Sequence, residues 1–150
     1  MNLKLYLVLA ALLTGLMLHC STKKDIPEMK VHFSWNPPCT GLDINPEIKI
    51  ADIPSGTVQF YVGLIDMDLP AFDHGGGFAP YESRNIIPVG AVQGSYKGPS
   101  PPYGIIHTYQ ITVEALDLNK KVLGAGRMQL RYPPQGEEEA YWRVCDGKSS

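Results

Sequence analysis

Apolar and polar residues alternate along several short stretches of the chain, and that period of two is the signature of half-buried β-strands. VHFSW (31–35) alternates at the start, and EIKIADIPSGT (47–57) gives a short strand that turns at Pro54, Ser55 and Gly56. VQFYVGLIDMD (58–68) is the clearest strand, rich in β-branched and aromatic residues with Gly63 as its one breaker. IIPVGAVQGSY (86–96) reads as another short strand, IHTYQITVEAL (106–116) as a long one, and VLGAGRMQLRY (122–132) as a weaker one. Between them, NPPCTGLDINPE (36–47) is a loop punctuated by prolines and Gly41. LPAFDHGGGFAPYESRN (69–85) reads as a loop too, with three consecutive glycines that imply close approach to another group. GEEEAYWRVCDG (136–147) predicts one short helix: Glu137, Glu138 and Glu139 suit the positive end of its dipole, and Gly147 suits its stop.

The first twenty residues do not follow this pattern. MNLK is followed by an apolar run over residues 5–18, the layout of a secretory leader and too short to span a bilayer. Cys20 ends the run and resembles the lipid-attachment cysteine of bacterial lipoproteins, although Leu18 and His19 stand where small residues are usual. Ordinary cleavage nearby and an uncleaved anchor are the alternatives. Residues 21–30 then form a polar tether and residues 31–150 the folded domain, exported and held at a membrane if Cys20 carries lipid.

Composition narrows the class. Fifteen glycines and 13 prolines in 150 residues are too many for a helix bundle, and the Val, Ile, Tyr and Phe runs are too frequent for disorder. A turn-rich, mainly β protein is the expectation. The net charge of −2 supplies no basic footprint for nucleic acid. Three cysteines leave one unpaired. With Cys20 lipidated, Cys39 and Cys145 either stay as buried thiols or close a loop of about a hundred residues, worth on the order of 4 kcal/mol in the chain-entropy account.

Candidate chemistry gathers at two strand ends. His107, Tyr109, Ile111, Val113 and Ala115 share one strand face, which is apolar except at its entrance. Val58, Phe60, Val62 and Leu64 likewise share a face that ends in Asp66 and Asp68. Two apolar rows ending in polar groups describe a pocket with a dry floor and a few convergent donors. A histidine and a tyrosine can each donate a hydrogen bond to an anion, and a carboxylate can orient the histidine and favour its protonated form. Facing a phosphate directly would set like charges together, so Asp66 and Asp68 are read as orienters or as partners of an ammonium.

IDMDLP (65–70), GPSPPYGIIHTYQITVEALD (98–117) and NPEIKIADIPSGT (45–57) together resemble three sequence blocks of the phosphatidylethanolamine-binding protein family, the group that includes Raf kinase inhibitor protein. The likeness runs from about Phe33 to Asp117. It implies a fold with a large central antiparallel sheet, a smaller sheet and few short helices, carrying a small surface pocket for a phosphoryl or phospholipid head group. The family's aspartates fall on Asp66 and Asp68, its pocket proline on Pro101 or Pro102, and its histidine and tyrosine on His107 and Tyr109. Its other pocket histidine has His74 as candidate, and Thr108 replaces the family's arginine. The family also implies a cis proline near the pocket, for which the Pro101–Pro102 region is the candidate.

These readings converge on a binding module for a small anionic ligand, without catalysis, cofactor or metal. A second reading is an inhibitor or interaction protein of a protease or kinase that uses the 71–85 loop as its contact surface. A metal-dependent hydrolase is the third, since two aspartates and two histidines could hold a divalent ion. Their spacing matches no established metal motif, and the chain holds no G-x-S-x-G nucleophile elbow.

Overall fold

The computed structural model describes residues 25–35 and 43–145. The leader, Cys20, the first part of the tether and Cys39 lie outside the described residues, and with them the Cys39–Cys145 bridge. Among the described residues, eight strands and one helix follow in chain order: β1 Lys30–Phe33, β2 Ile48–Ala51, β3 Gln59–Asp66, β4 Gly76–Pro80, β5 Ile86–Ile87, β6 Gln93–Gly94, β7 His107–Leu116, β8 Val122–Tyr132 and α1 Glu138–Cys145. They form two antiparallel sheets, a five-stranded one in the order β6-β4-β3-β7-β8 and a three-stranded one in the order β1-β2-β5. The fold is therefore mainly β, as the alternation predicts.

One apolar core joins the two sheets. Phe60, Val62 and Leu64 of β3 and Ile111, Val113 and Ala115 of β7 pack with Phe33, Ile48, Ile50 and Ile87 of the small sheet. Burying each large side chain stabilises the fold by roughly 1.5–3 kcal/mol. The strict alternation of β3, with every second residue buried from Phe60 to Asp66, shows why the sequence pattern was legible. Val58 stands before the strand and is exposed, so it does not extend that row. Met29, inside the polar tether of the sequence reading, is also part of the core. Its N–H donates to Ala125, and Ala125 donates to the Pro27 carbonyl, so residues 27–29 pair along the edge of β8.

Two elements differ from the sequence reading. The segment 69–85 is not one loop: Gly76–Pro80 is strand β4, between β3 and β6. The glycines are there because neighbouring backbone leaves no room for a side chain. A Cβ on Gly77 would sit 2.3 Å from the Gln93 carbonyl oxygen, and one on Gly76 2.6 Å from that of Val62. IIPVGAVQGSY is not a single strand either. Ile86–Ile87 pairs with β2 in the small sheet, and Gln93–Gly94 pairs with β4 in the large one. Pro88 cannot donate to a ladder, and Gly90 turns the chain at φ +72°, so the segment crosses between sheets.

The helix begins as predicted with Glu138 and Glu139 in its first turn. Tyr141 anchors it to the core, donating its hydroxyl to the Trp35 carbonyl and packing edge-on against Tyr132. Among the described residues, no helix is long and apolar enough to cross a membrane.

Candidate functional site

Strands β3 and β7 run side by side with Asp66 opposite Tyr109. His107 lies two residues before Tyr109 on the same face, so it sits diagonally across from Asp66. Diagonal neighbours in an antiparallel pair are within reach of long side chains. His107 Nδ1 and Asp66 Oδ2 are 2.6 Å apart, and both side chains are largely buried. The other carboxylate oxygen, Oδ1, accepts the backbone N–H groups of Asp68 (2.9 Å) and Leu69 (3.0 Å). Strand β3 ends there because this aspartate turn competes with the sheet ladder. Burial alone would raise the Asp66 carboxyl. The His107 hydrogen bond, the two N–H groups and the His107 charge outweigh it and hold the carboxyl below its ordinary value of 3.8.

The second histidine arrives from the segment before β4. His74 is buried, and its Nδ1 points at the carbonyl oxygens of Lys97 and Gly98, 3.1 Å from each. Carbonyls only accept, so Nδ1 carries the proton. Lys97 N–H donates back to the His74 carbonyl at 2.8 Å, which fastens the 97–100 segment to this histidine. The His74 ring meets the Tyr109 ring edge-on at 5.3 Å and the Phe72 ring at 4.7 Å. No described residue bonds Nε2 of either imidazole.

Tyr109 forms the floor between the histidines. It is fully buried, its ring lies 6.2 Å from that of His107, and its hydroxyl oxygen accepts the Ser100 N–H at 3.3 Å. Burial first, and then the negative charge of Asp66, push the phenol far above its ordinary value, so it stays protonated. A hydrogen bond to the Asp66 carboxylate adds to the rise, so the contacts of this phenol are to the protein.

Asp68 departs from the expected row. Strand β3 has already ended, and its exposed carboxylate accepts the Thr108 N–H at 2.6 Å. It ties the loop after β3 to the start of β7, beside Met67 N–H, which donates to the Thr108 carbonyl. Pro101 is half-buried and Pro102 exposed, while Pro99 is the proline packed inside. The one cis peptide bond among the described residues joins Tyr132 and Pro133, away from the expected Pro101–Pro102 region. Gly76 and Gly77 are occupied by the sheet and do not present backbone to a ligand. Sequence reasoning missed Lys97, Gly98 and Ser100, whose backbone groups hold the site together. The proline-rich stretch signalled a rigid turn there, and backbone partners leave no mark in side-chain identity.

Among the described residues, no cluster of three or more His, Cys, Asp or Glu side chains is placed to hold a metal ion. Strand β4 takes the middle of the segment 71–85 and leaves a flank of non-strand chain on each side. Leu69, Phe72, Ile105 and Ile106 are exposed on the two loops that flank the Asp66–His107 pair.

The family model described as phosphatidylethanolamine-binding protein matches residues 21–142. Among solved structures, the chain is similar to CT736 from Chlamydia trachomatis, titled a putative phosphatidylethanolamine-binding protein homolog. The two are 14% identical, with 72% of this chain and 99% of that one covered at a TM-score of 0.52, a likeness of fold. It is also similar to Escherichia coli YbcL, titled a new member of the mammalian family, at 18% identity over 70% of this chain and 98% of that one, with a TM-score of 0.47. No curated protein matches.

Proposed function

Because the chain belongs to the phosphatidylethanolamine-binding protein family, we propose that the site at the ends of β3 and β7 is a non-catalytic pocket for an anionic head group, phosphoryl in character. The observation that carries the proposal is the Asp66–His107 pair at 2.6 Å. The carboxylate orients the ring through Nδ1, and when the ring is protonated its Nε2–H offers a charge-assisted hydrogen bond, roughly twice as strong as a neutral one. His74 adds a second imidazole whose Nε2 is an acceptor when neutral and a donor when protonated. Asp66 is shielded from the ligand because its oxygens are already taken by His107, Asp68 and Leu69.

The apolar surround favours an amphiphilic ligand. Leu69, Phe72, Ile105 and Ile106 sit where the apolar part of a phospholipid would rest once its head group reached the histidines. Export and a lipid anchor at Cys20 would place the pocket close to such molecules.

Titration calorimetry with phosphorylethanolamine and with inorganic phosphate tests the pocket. The wild type should release saturable heat with both, and His107→Ala should weaken binding by about tenfold or more with the fold intact by circular dichroism. Vesicles containing phosphatidylethanolamine separate a membrane source from a free one. Absence of heat with every one of these ligands would sink the proposal.

A further inference from the structure

The edge of the large sheet is only half covered. Ala125 N–H and C=O point away from β7 and bond residues 27–29. The β7–β8 register is regular from Gly124 to Tyr132, so outward-facing backbone recurs at every second residue. Arg127, Gln129 and Arg131 therefore aim their N–H and C=O groups outward as Ala125 does. Beyond Met29, the covering segment crosses over Gly126 and leaves for the small sheet as β1. From Arg127 to Arg131, about 14 Å of strand, no described residue bonds this edge.

A groove of about 790 Å³ runs along the open half. Phe33, Trp35, Met128, Leu130 and Tyr141 give it an apolar wall, and Asp66, His74, His107 and Tyr109 take no part in it. The indole N–H of Trp35, a residue 2% exposed, has no hydrogen-bond partner. A buried donor left without an acceptor costs about 1–3 kcal/mol, and this one is closed off from the groove as the wall stands.

The two faces of the edge differ in chemistry. Met128 and Leu130 are half-buried against the groove, while Arg127, Gln129 and Arg131 alternate with them and stand exposed, Gln129 and Arg131 at its rim. Arg131 meets Glu138 only at 3.9 Å, and no described carboxylate pairs with Arg127. We propose that this half-edge is a docking site for an extended peptide of a partner protein, added as a further strand, whose residues alternate apolar and acidic. Its apolar side chains enter the groove, its acidic ones meet Arg127 and Arg131, and its backbone completes the ladder. Glu137 at the helix end of the groove disfavours acid there and sets the limit of the acidic stretch.

A second copy of this chain fits poorly. Two β8 edges paired antiparallel about Gln129 would set Arg127 of each opposite Arg131 of the other, and like charges directly opposed are destabilising.

The test uses the full chain and two labelled heptapeptides, one alternating glutamate with valine and one alternating lysine with valine, read by fluorescence anisotropy. The glutamate peptide should bind saturably and the lysine peptide about tenfold more weakly or not at all. Gln129→Pro removes an outward N–H and is compatible with an edge strand, so it should weaken binding by about tenfold while leaving the circular dichroism unchanged. Arg127→Glu with Arg131→Glu, a purely surface change, should reverse the preference toward the lysine peptide, and it tests the site even where the proline variant fails to fold. No binding of the glutamate peptide, equal binding of both peptides, or a folded Gln129→Pro variant with undiminished binding would each overturn the proposal. So would a dimer by light scattering that Gln129→Pro dissolves.

Discussion

Asp66 and His107 touch although the strand register pairs Asp66 with Tyr109. The contact is diagonal, so it exists only while β3 and β7 keep their register and β3 stops at Asp66. The aspartate turn that stops β3 uses one carboxylate oxygen, and the histidine uses the other. One side chain therefore ends a strand and orients a ring.

Asp66→Asn is expected to separate these roles. The amide oxygen can still close the turn, but the ring loses its anionic partner. Unfolding in urea at pH 7 should show a loss of about 1–3 kcal/mol, the range for a disrupted hydrogen bond to a buried charged group. A cycle with His107→Ala should give a coupling of about 0.5–3 kcal/mol, and additive effects would show that the pair is not energetically linked.

Acid should remove this contribution in a defined window. The folded Asp66 carboxyl lies below its ordinary value of 3.8, so the unfolded chain binds its proton more readily. The stabilisation is complete above the unfolded value and disappears as pH falls through the lower folded value. Urea midpoints of the wild type and Asp66→Asn should run parallel near neutrality and converge only below 3.8. A gap that persists unchanged in strong acid contradicts the assignment.

The glycine run yields a prediction about folding. Gly77→Ala would place a Cβ 2.3 Å from the Gln93 carbonyl oxygen in the middle of the β4–β6 pair. The Gln93 backbone, fixed by the ladder, cannot yield cheaply, so a loss of about 3 kcal/mol or more is expected. Gly104→Ala is the control. Nothing lies within 4 Å of its Cβ, and only the positive φ of +77° opposes it, a penalty of about 1 kcal/mol. Thermal unfolding of the two variants should rank them in that order.

How much of this was legible in the sequence depended on which groups carry the information. β3 and β7 are written in side chains: Phe60, Val62, Leu64, Ile111 and Val113 alternate because one face is buried. The placement of His107 and Asp66 at the mouth of those rows followed from the same period. β4 was hidden because Gly76 and Gly77 carry no side chain, and a strand whose identity is backbone proximity looks like a loop. The division of residues 86–96 between two sheets was hidden for a related reason. Two-residue strands leave no period, and the crossing is decided by Pro88 and Gly90. Asp68 was misplaced because alternation was extended past the turn that Asp66 itself creates. The anchoring of His74 by two carbonyls was beyond any reading of residue types.

Tyr109→Phe tests whether the site's floor also positions its wall. The substitution removes the oxygen that accepts the Ser100 N–H and keeps the ring that packs against His74, Trp35 and Tyr132. Ser100 is exposed, so its N–H can turn to water, and the stability loss should stay within about 1 kcal/mol. The local effect should be larger than the global one. Lys97 and Gly98 remain held by His74, but Ser100 loses its tether, so its amide should exchange with solvent faster while the β7 amides keep their protection. Phosphorylethanolamine binding should weaken with it if the 97–100 segment forms part of the pocket wall. Unchanged Ser100 exchange would mean that the segment is positioned by His74 alone.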